Sequence, residues 1–109
     1  MLDAKVLLDD GWFRDGIVSA CASDLHSDIL SHSDQNSILL TGLTTPQVIR
    51  TAEMVEIAAV CFVHGKLPHE ETVELARNTQ MPLLTTPLSM YNACGRLFAS
   101  GLTGCGDTA

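Results

Sequence analysis

Two short apolar segments of this chain run straight into threonine-proline helix starts: Leu39-Leu40-Thr41-Gly42-Leu43-Thr44-Thr45-Pro46 and Leu83-Leu84-Thr85-Thr86-Pro87. Proline is tolerated at the first helical position, where its missing N–H would have no partner anyway, and a preceding threonine is suited to cap the free amides. Each junction therefore predicts a strand followed at once by a helix, with Thr45 and Thr86 as caps. The helix N-termini would open at strand ends, where free N–H groups and the helix dipole favour anions and polar ligands.

The remaining segments continue the alternation. Ala4 to Leu8 reads as an opening strand ended by the Asp9-Asp10-Gly11 turn, with Trp12-Phe13 pinning the loop, and Gly16 to Ala22 as a buried second strand. Ser23-Asp24 then offers a cap for a helix carrying Leu25, Ile29 and Leu30 on one side, followed by a polar loop over Ser31 to Ser37. After the strand Ile38 to Thr41, the positions Val48, Ile49, Ala52 and Val55 recur at helical spacing, with Arg50, Glu53 and Glu56 opposite. The continuous apolar run Ala58 to Val63, closed by His64-Gly65, predicts a central strand covered on both faces.

Pro68, Glu70 and Glu71 mark the next helix start, and Val73, Leu75 and Ala76 supply its apolar contacts ahead of Arg77. Met81 to Thr85 is the fifth strand, and Leu88, Tyr91, Cys94, Leu97 and Phe98 form the stripe of a last helix that stops near Gly101. The pattern predicts one α/β domain over residues 1–103, a mostly parallel sheet of about five strands with helices packed on it, and a flexible C-terminal tail over 104–109.

Composition bounds the partners. Six Lys and Arg against 13 Asp and Glu give a net charge of -7, and the arginines Arg14, Arg50, Arg77 and Arg96 are scattered, so no basic patch suited to nucleic acid is present. No apolar run approaches the roughly 18 residues of a membrane helix, and Met1 to Lys5 do not read as a leader, which together predict a cytoplasmic protein. A hydrophobic share of 46% is high for a small monomer and predicts some surface shared with a second copy, a homodimer. Cys21, Cys61, Cys94 and Cys105 form no Cys-x-x-Cys pair and signal neither a zinc site nor a disulfide framework; Cys21, Cys61 and Cys94 are expected to be small buried hydrophobes.

The ordered series Ser23-Asp24-Leu25-His26-Ser27-Asp28-Ile29-Leu30, Thr41 through Gln47, Val63-His64-Gly65-Lys66 and Pro82-Leu83-Leu84-Thr85-Thr86 resembles the DRTGG domain family over nearly the whole chain. The resemblance implies a fold similar to the N-terminal domain of HPr kinase and the first domain of Mur ligases. Members of that family stand alone or are fused to CBS domains in regulatory inorganic pyrophosphatases, and some small ones accompany iron-hydrogenase gene clusters. What the resemblance implies is a non-enzymatic regulatory or sensor module. No Gly-x-x-x-x-Gly-Lys-Ser/Thr loop is present to support a kinase.

Three classes of function remain to be weighed. An enzyme could use Asp24 and Asp28 with His26 between them, or Cys61 or Cys94 with His64, although a capping aspartate and a solvated face explain the same residues. A binding module for a small anionic or polar ligand, a nucleotide among them, would use the strand ends and the helix starts behind them. The residues are Ser23, Asp24, Thr41, Gly42, Thr44, Thr45, Gly65, Lys66, Thr85, Thr86 and Ser89. The plainer reading is that the threonines only cap helices and that Lys66 is solvated. An adaptor would dock on a larger metabolic or redox enzyme, such as an iron hydrogenase. The reading adopted is the binding module: no catalytic residue, no cofactor and no metal, with His26, His32, His64 and His69 as surface or satisfied residues.

Overall fold

Strands β3 (Ile38–Thr41) and β4 (Ala59–Phe62) are buried at every position, as unbroken apolar runs between two covered faces must be. The computed structural model, which describes residues 5–8, 17, 19–33 and 35–104, sets them at the centre of a six-stranded sheet. The other strands are β1 (Lys5–Leu8), β2 (Ser19–Ala22), β5 (Leu83–Thr85) and β6 (Thr103–Gly104), and the spatial order is β1-β5-β4-β3-β2-β6. Every pairing is parallel except that of β1 with β5, so the architecture is α/β and mostly parallel.

Side chains alternate across a strand, and the helices sort accordingly. Leu39, Val60, Phe62 and Leu83 face Ile29 of helix α1 (His26–His32), Val48, Ile49 and Ala52 of α2 (Pro46–Met54) and Ala76 of α3 (Glu70–Thr79). Ile38, Leu40, Ala59 and Cys61 point the other way, toward Ala93 and Leu97 of α4 (Met90–Ala99). Three helices therefore cover one face of the sheet; among the described residues α4 is the one helix on the other.

The structure departs from the sequence expectations at several ends. Ile29 is the buried side chain among those described in α1, while Leu30 and the N-cap Leu25 are exposed, because a short helix at the margin of the layer turns little of its surface inward. In α4 Ala93 and Leu97 face the sheet, and Tyr91 and Phe98, expected in the apolar stripe, stand 86% and 75% exposed. Gly104 belongs to β6 and pairs with Ala20, so the chain is still ordered into the sheet where the tail was expected to begin.

The opening turn at Asp9 to Gly11, Trp12-Phe13, the start of the expected second strand at Gly16, and residues 105–109 lie outside the described residues. Cys21 is buried as expected but is disulfide-bonded, a bond the cysteine spacing did not signal; Cys61 is a buried free thiol, and Cys94, expected to be buried, is a half-buried one.

Candidate ligand-binding site

The carboxyl ends of β3, β4 and β5 lie along one rim, and the loop after β4 stitches the three together. Val63 N–H donates to the Thr41 carbonyl at 3.0 Å, Gly65 N–H to the Thr86 carbonyl at 2.7 Å and His64 N–H to the Leu88 carbonyl at 2.8 Å. His64 and Gly65 both take left-handed backbone, φ 60° and 66°, which reverses the chain tightly enough for this. Glycine suits the second of these positions for its conformation, since a Cβ there would meet nothing closer than Pro87 Cα at 3.9 Å.

Asp24 is the residue that joins the rim from outside. It does not cap α1, whose N-cap is Leu25 with no side-chain hydrogen bond. Its Oδ1 instead accepts from the Gly42 amide at 2.6 Å and from Thr41 Oγ1 at 3.2 Å. Ser23 performs the local turn, its Oγ accepting from Leu25 N–H at 3.0 Å. Lys66 reaches the same spot from the β4 side, Nζ donating to the Gly42 carbonyl at 3.4 Å. A Cβ on Gly42 would stand 3.3 Å from Lys66 Nζ and 3.4 Å from Asp24 Oδ1, so the glycine admits both charged groups to its backbone.

The threonines divide into two groups. Thr41 is fully buried, its hydroxyl shared between Asp24 and Leu43 N–H. Thr85 donates to the Lys66 carbonyl at 2.8 Å, and Thr86 is fully buried with its Oγ1 accepting from Leu88 N–H at 3.3 Å. These hydroxyls hold the rim together from inside.

Thr86 is not a helix cap: α4 begins at Met90 and is capped by Ser89, whose Oγ accepts from Asn92 N–H at 3.2 Å. Thr45 does stand at the N-cap of α2, with Pro46 behind it as expected, but its side chain makes no capping bond and is exposed. The Thr44 carbonyl accepts from Thr72 Oγ1 at 2.7 Å and from His69 N–H at 3.2 Å, tying the loop ahead of α2 to the start of α3. Thr72 escaped the sequence reading because nothing near it in the chain signals a partner 28 residues away.

Of the residues expected at the site, Asp24, Thr45 and Lys66 are exposed and Gly42 holds both charged groups on its backbone; Thr41, Thr85, Thr86 and Ser89 are committed to internal bonds. The two helix starts also fall on opposite faces of the sheet, α2 with α1 and α3, α4 by itself.

His26 Nδ1 lies 3.3 Å from Thr51 Oγ1, so the ring is engaged with α2. Burial pushes the Cys61 thiol up to about 11 and also raises Cys94, the reverse of what a nucleophilic thiolate needs. Among the described residues no three His, Cys, Asp or Glu side chains stand together as metal donors, and no helix is long and apolar enough to cross a membrane.

The rim and its sheet define an α/β domain of DRTGG-like architecture. The chain is similar to the crystal structure of the CBS and DRTGG domains of the regulatory region of Clostridium perfringens pyrophosphatase, complexed with its activator diadenosine tetraphosphate. The TM-score is 0.71 at 19% sequence identity, over 94% of this chain and 44% of that one. This chain thus spans less than half the length of that relative, and the likeness is one of fold. No protein-family model matches the sequence, and no curated protein does.

Proposed function

We propose that this domain is a non-catalytic regulatory module of the cytoplasm, acting as a homodimer over residues 1–103, which binds a small anionic ligand of the nucleotide or phosphate class at the rim of β3, β4 and β5. One observation carries the reading: the Gly42 amide holds the exposed Asp24 carboxylate while the Lys66 ammonium donates to the carbonyl of the same Gly42, so a cation and an anion-binding amide sit side by side at the surface. A backbone N–H beside a cation is the pairing that recognises phosphate oxygens. Asp24 then acts as a resident anion that an incoming one displaces. The exposed Thr45 hydroxyl, at the positive end of α2, offers a further donor. The resemblance in fold to a regulatory region solved with a dinucleotide activator supports a phosphate-bearing ligand.

A thermal-shift series with inorganic phosphate, mononucleotides, diadenosine tetraphosphate and simple carboxylates tests this. Ligand at 100 times its dissociation constant stabilises by about 2.7 kcal/mol, a rise of roughly 10 °C for a domain of this size. The rise is expected to vanish in Lys66→Ala and to shrink in Thr45→Val. Flat melting curves with every anion, together with an enzyme recovered on the protein from native extract, would instead make the domain an adaptor.

A further inference from the structure

The outward face of α4 carries a second surface, unrelated to the rim. Tyr91, Gly95 and Phe98 fall within about 60° of helix circumference, opposite the Ala93 and Leu97 that pack on the sheet. Both rings project into solvent, 86% and 75% exposed. We infer that this face is the contact between two copies of the chain, arranged as an antiparallel α4–α4 pair about a two-fold axis passing between Cys94 and Gly95.

Three observations select a second copy as the occupant. The first is spacing: an axis between residues 94 and 95 sets Tyr91 of one copy opposite Phe98 of the other, and does so twice. A single self-complementary pattern thereby covers all four rings. The second is Gly95 itself. Glycine in a helix interior is less favourable than alanine, yet a Cβ there would meet nothing within 4 Å in the monomer. Nothing among the described residues needs the missing methyl, whereas a second helix backbone crossing at the axis does.

The third observation is charge. Glu74 and Asp107 are the nearest acids on either side, so residues 75–106 hold none of the 13 Asp and Glu, and α4 carries only Arg96. Two molecules of net charge -7 meet with least repulsion across α4, which among the described helices is the one free of acids.

Area sets the strength. The two rings bring about 300 Å² per copy, and the flanks of α4 must supply as much again to reach the roughly 600 Å² per partner of the smallest specific interfaces. An interface at the lower end of that size range makes the dimer concentration-dependent.

This inference rests on the homodimer of the proposed function and not on its ligand. Sedimentation velocity over a concentration series is expected to show reversible dimerisation of the wild type. Phe98→Glu and Gly95→Leu are each expected to weaken it at least tenfold with the far-ultraviolet circular dichroism unchanged. Under mild oxidation Gly95→Cys is expected to cross-link two copies, and Asn78→Cys on α3 is not. A wild type that stays monomeric throughout overturns both the dimer and the interface. A dimer that survives both α4 substitutions overturns the interface alone.

Discussion

The Asp24 carboxylate accepts a 2.6 Å hydrogen bond from the amide of Gly42, eighteen residues further along the chain. Two loops that follow different strands are joined by this bond, and with Lys66 beside it the pair forms a charged corner on the rim of a parallel sheet, where such folds usually hold ligands. The account of function rests on whether that carboxylate yields its place to another anion.

Removing the resident anion has two opposed effects. Asp24→Ala is expected to destabilise the domain by about 1–2 kcal/mol, through loss of a charge-assisted bond. It is also expected to tighten binding of inorganic phosphate several-fold, since a competing negative charge about 4 Å away is worth about 1 kcal/mol in a wet site. Chemical denaturation and calorimetric titration of the same variant measure both. Lost phosphate binding in a folded Asp24→Ala would make Asp24 a contact of the ligand rather than its competitor.

Helix capping separates the two junctions. Ser89→Ala is expected to lose about 1 kcal/mol, because its Oγ holds the Asn92 amide at the start of α4. Thr45→Ala is expected to lose a few tenths at most, because the Thr45 side chain caps nothing. Denaturation midpoints of the two variants decide it, and a larger loss at Thr45 would contradict the assignment.

The buried thiol of Cys61 sets an alkaline limit. Its folded pKa is raised to about 11 from an ordinary 9.0. The folded state therefore holds its proton longer than the unfolded chain. The associated stability is fully present below pH 9 and is lost as pH climbs through 11, about 3 kcal/mol in all. The difference in stability between wild type and Cys61→Ala, followed from pH 7 to pH 11.5, is expected to shrink over that window and to be level below it. A constant difference up to pH 11.5 would show that the thiol ionises as readily folded as unfolded.

The central architecture was legible in the residues themselves. Ala58 to Val63 is apolar without interruption, which suits only a strand covered twice, and Val48, Ile49 and Ala52 keep a helical period that the packing of α2 obeys. Local signals misled where tertiary contacts compete for the same group. Thr86 looks like a cap, but the chain turns three residues further before α4 begins, and Ser89 takes the part.

Tyr91 and Phe98 share an apolar pattern with Leu97, and periodicity does not tell an inward ring from an outward one. The bond from Gly42 to Asp24 left no trace in spacing at all. A disulfide at Cys21 is likewise not signalled by the intervals between cysteines.

The most direct measurement is a two-dimensional amide NMR titration with inorganic phosphate and with diadenosine tetraphosphate. The account predicts saturable shifts concentrated on the amides of Gly42, Leu43, Thr45 and Lys66, with α4 unmoved. Shifts confined to other parts of the sheet, or none at concentrations up to several millimolar, would contradict a ligand site at this rim.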